Sequence, residues 1–406
     1  MNLQQYFNKY KDRNLFINND ESCTYGDCLV FIQKTLFFLK KNGLKKNSKI
    51  LISAKNSITL AKFYLSFLAN ENEIFIIGEN LTVNTKKQII KENKFEMAII
   101  DDKSQINLIK NYCQKIIDIK SPELLKNIKE INNLHNLSKK LNLGKNILNI
   151  YTSGTTDQPK KVSHSLFNLF NNAQEFSKIV GITKENRFIN FLPMNYLGGY
   201  YNLLLIPFFN GSSIFIDNVF SFKTLSNLKK NISDFKINTL WVTPSICNIL
   251  LDKYSKNSEV KILKNNIRLA LVGMDHVNSD LKDSFKEKFN LRLLENYGLS
   301  ETLFISSESI KDKFYSSGKL LRSVKIKINN TNKELIVKSP FISKNFSKKN
   351  FKTGDQADFE KYLKINGRLK DIIIRGGVNI NPYDIESVLI KLKGINEISV
   401  FGKRDE

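Results

Sequence analysis

The chain has 406 residues, 41% of them hydrophobic, which is enough for a large core and predicts more than one domain. Its formal net charge is +24, from 63 Lys and Arg against 39 Asp and Glu. The lysines are spread evenly and form no basic stripe with interleaved aromatic residues, which argues against a nucleic-acid partner. The four cysteines and three histidines are scattered, without disulfide or zinc-site spacing, so we expect a reducing, cytoplasmic location.

In chain order, short apolar runs alternate with helical patterns. The opening stretch MNLQQYFNKYKDRN lacks the apolar centre of a signal peptide, and the spacing in residues 26–43 predicts a helix. Buried strands are predicted at 49–53, 73–78, 97–100, 146–151, 213–216, 239–243 and 269–273. This alternation predicts an α/β fold with parallel sheets.

Residues 188–216 form the longest uncharged stretch, and its length alone would permit a membrane span. Pro193, Gly198, Gly199 and Pro207 interrupt it. We therefore expect a buried loop, helix and strand there, with no membrane span.

The pattern of hydrophobic residues changes after residue 315. There VKIKI, KELIVKS and KYLKINGR predict short strands joined by turns. The full expectation is α/β: a large N-terminal domain of parallel α/β sheets plus a small β-rich section, followed by an incomplete small α+β C-terminal domain.

The stretch YTSGTTDQPKK, residues 151–161, follows the predicted strand at 146–151. Glycine allows close approach of the backbone, hydroxyls and N–H groups can bind phosphate oxygens, and a lysine supplies a mobile positive charge. The spacing is not that of the P-loop, so a P-loop fold is not predicted. The stretch by itself is compatible with either a phosphate-binding loop or a simple turn.

Three further segments accompany it: FLPMNYLGGYYNLLLIPFFNG, LALVGMDHVNSDLKDSFKEKFNLRLLENYGLSET and KTGDQADFEKYLKINGRLKDIIIRGGVNINPYDIESVL. With the hydroxyl-rich turn they resemble, in order and spacing, the adenylate-forming superfamily of acyl-CoA synthetases, amino-acid adenylation domains and luciferases. The resemblance implies ATP-dependent activation of a carboxylic acid as acyl-AMP with release of pyrophosphate. Transfer to a thiol of coenzyme A or of a carrier-protein phosphopantetheine would follow.

The resemblance also implies roles for individual residues. Glu301 would hold Mg²⁺, Lys160 and Thr302 would contact phosphates and act with Glu301 in catalysis, and Tyr297 would lie against adenine. The ATP-binding set it implies is Thr152, Ser153, Gly154, Thr155, Thr156, Lys160, Gly273, Asn296, Tyr297, Thr302, Asp355 and Arg368. Taken singly, each of these residues is equally well explained as a turn, core or surface residue.

The acyl pocket implied by the resemblance is formed by Tyr196, Leu197, Gly198, Gly199, Val272 and Met274. The neutral Asn195 aligns with an aspartate of the amino-acid adenylating members, which favours an acid without an α-amine. Lys370 would be the hinge residue, and Gly376 and Gly377 would line a thiol tunnel. His164 fits a loop position or a pocket wall equally well.

The sequence departs from the pattern at Asp157 and Lys161, where the superfamily usually has glycine. A carboxylate about 4 Å from a phosphate oxygen would be repelled by roughly 4 kcal/mol at an effective dielectric of 20, unless Lys161 offset it or Asp157 pointed outward. We expect an N-terminal adenylation domain in residues 1–369 and a hinge with a partial C-terminal domain in 370–406. The superfamily's C-terminal lysine has no match before Glu406, so we expect either a truncated chain or a naturally short protein.

These features predict an acid–thiol ligase using ATP and Mg²⁺ in fatty acid or carboxylic acid metabolism, with a small-molecule carboxylic acid and either CoA or an acidic carrier protein as partners. The alternatives are a nucleotide- or acyl-adenylate-binding pseudoenzyme and a basic nucleic-acid-binding protein. The net charge also permits electrostatic steering of an acidic carrier protein.

Overall fold

A computed structural model describes residues 2–78, 81–137, 141–152, 160–375, 378–380, 382–389, 392, 395 and 398–403. The strands within these ranges are β1 Asn14–Ile17, β2 Ser22–Thr24, β3 Lys49–Ser53, β4 Glu73–Ile76, β5 Phe95–Ile100, β6 Cys113–Asp118, β7 Asn146–Thr152, β8 Lys160–Ser165, β9 Arg187–Asn190, β10 Ser213–Ile216, β11 Thr239–Val242, β12 Leu269–Val272, β13 Leu293–Leu299, β14 Leu303–Ser307, β15 Lys319–Leu320, β16 Lys325–Ile328, β17 Glu334–Lys338, β18 Phe351–Phe359, β19 Leu363–Arg368, β20 Ile373–Arg375 and β21 Val378–Ile380.

The α-helices in the same ranges are α1 Leu3–Lys9, α2 Tyr25–Lys41, α3 Ile58–Ala69, α4 Val83–Asn93, α5 Ile106–Ile109, α6 Pro122–Lys129, α7 Leu166–Val180, α8 Ile206–Phe209, α9 Phe222–Asp234, α10 Pro244–Lys253, α11 Asn257–Asn266, α12 Ser279–Phe289 and α13 Pro382–Leu389. A π-helix covers Gly198–Leu205, and 3₁₀ helices cover Lys103–Gln105 and Leu369–Asp371. Helix α2, predicted from its spacing, begins at a capping box in which Thr24 and Asp27 bond each other's backbone N–H groups.

Two large sheets form the body of the described chain. One has the strand order β6-β5-β3-β4-β7-β8, and the other has the order β15-β14-β13-β12-β11-β9-β10-β1-β2. The strands from β3 to β7 in the first sheet pair in parallel, as do β1 and β9 to β13 in the second. Crossover helices cover such sheets, so their strands are apolar on both faces, which is why continuous apolar runs revealed them in the sequence.

The β-rich section is the antiparallel sheet β16-β17-β18-β19. It is followed by the pair β20-β21 and by α13. The predicted fold class is therefore confirmed. The division into domains at residue 369 stays a prediction.

The long uncharged stretch 188–216 forms most of β9, the π-helix, α8 and β10. Its side chains between Gly198 and Phe209 are buried in the main core. Across the described ranges, no helix combines the length and apolar character that crossing a membrane requires.

Candidate active site

A large cavity, with a volume of about 2390 Å³, lies where β12 and β13 end and faces the four-stranded sheet. In α/β proteins, ligands bind in crevices at the carboxyl ends of parallel strands. Ten of the residues predicted for the site line this cavity: Tyr196, Leu197, Gly198, Met274, Asn296, Tyr297, Glu301, Asp355, Arg368 and Lys370. The volume exceeds the about 1,000 Å³ at the upper end of ordinary ligand pockets, so two substrates can be held together.

One wall carries three side chains joined by one hydrogen bond and one ion pair. Asp355 on β18 and Arg368 on β19 face each other in the strand register. The Tyr297 hydroxyl donates to Asp355 Oδ2 at 2.6 Å, and Arg368 Nε lies 3.2 Å from Oδ1. Burial raises the pKa of Tyr297 well above its usual value, so the phenol stays protonated and donates.

Asp355 is only 3% exposed, and burial raises its pKa against the opposing effects of the Tyr297 hydrogen bond and the Arg368 charge. Arg368 forms an ion pair with Oδ1 without donating a hydrogen bond to it, and Oδ1 has no hydrogen-bond partner among the described residues. A buried acceptor of this kind calls for a donor from a ligand. The two hydroxyls of a ribose are donors of the required type.

Asn296 lies beside Gly273, the residue that follows β12. A Cβ at Gly273 would come within 2.7 Å of both the backbone oxygen and Oδ1 of Asn296, so only glycine fits there. Trp241 Nε1 donates to Asn296 Oδ1 at 3.2 Å and fixes the amide. Gly273 is not among the residues that line the cavity, and its effect on the site is transmitted through Asn296.

Glu301 and Thr302 occupy the turn between β13 and β14 and differ in environment. Glu301 is partly exposed on the cavity wall. Thr302 is fully buried; its hydroxyl accepts from Leu299 N at 3.2 Å and donates to Leu303 O at 3.0 Å. It does not line the cavity. Its predicted contact with the α-phosphate stays a prediction.

Glu301 is the carboxylate that could bind a metal ion in the cavity. No group of three or more His, Cys, Asp or Glu side chains within the described ranges is arranged to hold one. Mg²⁺ is usually bound by one or two carboxylates together with substrate phosphates and water. A single cavity-facing carboxylate suits that mode of binding.

The hydroxyl-rich turn joins β7 to β8, which pair antiparallel with Thr152 opposite Lys160. Ser153, Gly154, Thr155, Thr156 and Asp157 lie outside the described residues, as do Gly376 and Gly377.

Beyond the turn, Lys160 is exposed, whereas Lys161 Nζ lies 4.5 Å from the centroid of the Phe75 ring. Lys161 therefore contacts the face of the six-stranded sheet that Phe75 occupies.

His164 joins this strand to the turn that carries Glu301. The ring is fully buried, and its Nε2 lies 2.7 Å from the Ser300 carbonyl oxygen. Nearby, Ser343 N donates to Glu301 O at 2.7 Å, and Ser163 N donates to Ser343 Oγ at 2.9 Å. The strand after the hydroxyl-rich turn and the Glu301 turn are thus in direct contact.

The predicted acyl pocket divides into residues that face the cavity and residues that support it. Tyr196 and Met274 are 48% and 38% exposed, and Leu197 and Gly198 also line the wall. Gly199 and Val272 are buried and do not line it. A Cβ at Gly199 would overlap the Pro193 carbonyl, so this glycine permits close packing of the wall. Asn195 is buried and is also absent from the lining.

The opposite wall comes from the C-terminal part of the described chain. It includes Lys370 on the short 3₁₀ helix, Arg375, Glu386 of α13 and residues 399–403. Val400 N donates to Glu386 Oε1 at 2.7 Å, which holds this segment against α13.

Sequence reasoning missed Glu295, which lines the cavity next to Asn296. Lys282 Nζ lies 2.6 Å from Glu295 Oε2 and 3.2 Å from Glu308 Oε2, and Arg292 Nη2 lies 3.3 Å from Glu308 Oε1. Burial raises the pKa of Glu308 against the attraction of Lys282. The only signal in the sequence was the position of Glu295 in the run before Tyr297, because its cations are distant in the chain.

Comparisons with known proteins agree with this geometry. The model of the family described as AMP-binding enzyme matches residues 3–343. The 2-succinylbenzoate–CoA ligase of Oceanobacillus iheyensis is 25% identical over 413 aligned residues, which cover 95% of this chain and 82% of the relative. The same-named ligase of Bacillus subtilis (strain 168) is 28% identical over 282 residues, covering 63% of this chain and 56% of the relative.

Solved structures show the same fold. ATP-bound MatB from Rhodopseudomonas palustris has a TM-score of 0.87 at 19% identity, covering 99% of this chain and 86% of that one. O-succinylbenzoate coenzyme A synthetase (MenE) from Bacillus subtilis, in complex with ATP and magnesium ion, has a TM-score of 0.85 at 22% identity. The match covers 100% of this chain and 87% of that chain.

The fold and cavity define an adenylate-forming enzyme, as the four sequence segments predicted. The chain belongs to the AMP-binding enzyme family. The predicted class, an AMP-forming acid–thiol ligase, is confirmed by this membership together with relatives named as CoA ligases. These findings favour a CoA-ligase function over the alternative of a pseudoenzyme.

Proposed function

We propose that this chain joins a carboxylic acid to the thiol of coenzyme A through an acyl-AMP intermediate. The observation that carries the proposal is one large cavity lined by the buried Asp355 acceptor, the Glu301 carboxylate and the partly exposed Tyr196 and Met274. This arrangement offers a ribose site, a metal-binding carboxylate and an apolar wall within reach of one bound nucleotide.

In the first step, a carboxylate oxygen of the acid bonds to the α-phosphorus of ATP as the bond to the β-phosphate breaks and pyrophosphate leaves. In the second step, the thiolate sulfur of coenzyme A bonds to the acyl carbon and AMP leaves. Such chemistry depends mainly on orientation and on neutralising charge at phosphate oxygens. Bound Mg²⁺ would supply charge neutralisation between the phosphates.

The residues act by binding and orienting. Asp355 would accept from the ribose hydroxyls while Tyr297 and Arg368 hold its carboxylate in place. Asn296 and Tyr297 would contact adenine, Glu301 would hold Mg²⁺, and Lys160 would reach the phosphates. Thr152 and the turn that follows it would surround the β- and γ-phosphates, with Thr302 near the α-phosphate. Lys370 would act as the hinge between the two reaction steps, and Gly376 and Gly377 would border the thiol.

For the acid, we propose an apolar or aromatic carboxylic acid without an α-amine. Tyr196 and Met274 give the wall an apolar surface, and Asn195, at the position expected for a charged partner of an ammonium group, is neutral and does not line the cavity. The relatives named as 2-succinylbenzoate–CoA ligases support an aromatic acid and coenzyme A as acceptor. Action on fatty acids, a carrier-protein acceptor and a cytoplasmic location remain finer proposals.

The experiment is pyrophosphate release by the purified chain with ATP and Mg²⁺, using succinylbenzoate, benzoate, malonate and a medium-chain fatty acid in turn. We expect release with at least one aromatic acid and formation of its thioester when coenzyme A is added. Retained ATP binding without pyrophosphate release for every acid would instead support a nucleotide-binding protein without turnover.

A further inference from the structure

His164 is a fully buried titratable residue to which the proposed function assigns no role. It stands on β8, four residues beyond Lys160. Alternate residues of a strand point to the same face, so Lys160, Val162 and His164 share one face, and Lys161 and Ser163 share the other. The His164 ring thus lies on the face of the strand that Lys160 also uses.

The hydrogen bonds of the ring define its protonation and direction. Nε2 lies 2.7 Å from the Ser300 carbonyl oxygen, which can only accept, so Nε2 carries the proton. Nδ1 lies 3.4 Å from Asn168 Nδ2, whose amide also donates to Phe341 O at 2.9 Å. The neutral ring is therefore held on both sides, and its one N–H is directed at the backbone next to Glu301.

A second contact holds the other side of the same peptide segment. The Glu301 carbonyl accepts from Ser343 N at 2.7 Å, and the Ser343 hydroxyl accepts from Ser163 N at 2.9 Å. Lys344 N in turn donates to Ser163 O at 3.3 Å. Both carbonyls are therefore linked to β8 by hydrogen bonds. The Ser300 carbonyl is linked directly through His164, and the Glu301 carbonyl is linked through Ser343.

We propose that His164 is a positioning residue that fixes the Glu301 carboxylate relative to β8 and Lys160, so that one metal-bearing triphosphate can contact both side chains. The inference rests on the proposed function, because it takes Glu301 as the carboxylate that holds Mg²⁺. His164 itself, being buried behind the backbone, touches neither nucleotide nor metal. Its effect is the placement of Glu301.

The test measures how strongly Mg²⁺ enhances ATP binding, by calorimetric titration of ATP into the full chain at a series of Mg²⁺ concentrations. His164→Leu removes the donor while keeping an apolar side chain in the cavity it occupies. We expect the Mg²⁺ enhancement of ATP affinity to fall about tenfold, with ATP affinity in the absence of Mg²⁺ changed by less than about twofold. His164→Gln places an amide N–H near the position of Nε2 and should restore most of the enhancement.

Two further variants separate positioning from general stability. Tyr25→Phe removes another buried donor to a loop carbonyl, Ser212 O at 2.9 Å, away from the cavity, and should leave the Mg²⁺ enhancement unchanged. Ser343→Ala removes the hydroxyl that accepts from Ser163 N and should lower the Mg²⁺ enhancement of ATP affinity about threefold. It carries the test if His164→Leu does not fold.

Full Mg²⁺ enhancement in His164→Leu, or in Ser343→Ala where the first variant is unfolded, would overturn the inference while leaving the proposed function intact. Equal loss in Tyr25→Phe would also overturn it, because the effect would then reflect stability. If Mg²⁺ did not change the ATP affinity of the wild-type chain, the proposed role of Glu301 would be contradicted. The inference about His164 would then fail as well.

Discussion

At the scale of single residues, the cavity contains a carboxylate that the fold leaves incompletely bonded. Asp355 is buried, bonded by the Tyr297 hydroxyl on one oxygen, and without a hydrogen-bond partner on the other within the described residues. A buried acceptor without a hydrogen bond costs about 1–3 kcal/mol, part of which the Arg368 charge 3.2 Å from this oxygen offsets. Binding of a hydroxyl-bearing ligand would recover that free energy.

Asp355→Asn should therefore weaken ATP binding about tenfold, because an amide supplies only one acceptor oxygen and no charge. Equilibrium binding of ATP measures the effect. Asp358→Asn is the matched control, since Asp358 lies on the same strand but is exposed and away from the cavity. Equal affinity in wild type and Asp355→Asn would remove the ribose role from this residue.

His164 predicts a pH dependence of stability. Burial lowers its pKa from 6.5 to about 4, against the hydrogen bond to Ser300, and Lys348 contributes in the same direction as burial. Between these values the unfolded chain binds more protons than the folded chain, so the free energy of unfolding decreases as the pH falls through this window. From about pH 7 to about pH 5, His164 should account for a loss of about 2 kcal/mol.

Urea unfolding of wild type and His164→Gln at both pH values measures this contribution. Glutamine does not titrate, so the variant should lose about 2 kcal/mol less stability than wild type over the same interval. Parallel losses in the two proteins would show that His164 titrates normally in the folded state.

At the scale of elements, β8 presents adjacent lysines to opposite faces. Lys160 shares the face of His164, whereas Lys161 stacks on Phe75 and is partly buried, which lowers its pKa. Lys161 is therefore placed for packing within the six-stranded sheet, and it is not aligned with the Lys160 side of the turn.

We expect Lys160→Ala to lower the rate of pyrophosphate release about a hundredfold, as loss of a charged group at a reacting phosphate would. Lys161→Ala should stay within about threefold of wild type, because its cation–π contact with Phe75 lies on the other face of the strand from Lys160. Because both variants remove one positive charge from neighbouring positions, each serves as the control for the other. A larger loss in Lys161→Ala than in Lys160→Ala would reverse the assignment.

The π-helix Gly198–Leu205 sets the shape of the apolar wall. A Cβ at Gly198 would lie 3.0 Å from Met274 Sδ and 3.3 Å from Leu192 Cδ1. Gly198→Ala should therefore narrow the pocket and raise KM for a bulky acid about tenfold, with KM for ATP nearly constant. Gly144→Ala, whose added Cβ meets only Asn142 Oδ1 at 3.5 Å, is the control. Equal effects on acid and ATP would mean that Gly198 does not shape the acid site.

Most elements of the parallel sheets could be predicted from the sequence. Predicted strands such as 49–53 and 213–216 coincide with β3 and β10, because strands buried on both faces are uninterrupted apolar runs. A helix is expected within residues 188–216, but its bounds and its π type could not be predicted, since an apolar run that is buried on all sides carries no periodicity. The pairing of β14 with β15 likewise depends on long-range contacts that short strands do not encode.

At the scale of the whole molecule, the site depends on segments distant in the chain that the fold brings together. Resemblance to the superfamily located Tyr297, Glu301, Asp355 and Arg368, all of which line one cavity. It could not distinguish cavity-facing from supporting neighbours, such as Glu301 from Thr302, because that depends on the path of the turn. Nor could it find the Lys282, Glu295 and Glu308 cluster, which tertiary structure alone assembles.

The most direct measurement is a crystal structure of the chain with Mg²⁺ and a non-hydrolysable ATP analogue. The account predicts the β- and γ-phosphates against the turn between Thr152 and Lys160, with the metal on the Glu301 carboxylate and the ribose on Asp355. An analogue bound elsewhere, or bound with the metal out of reach of Glu301, would contradict the claim that both segments serve one nucleotide.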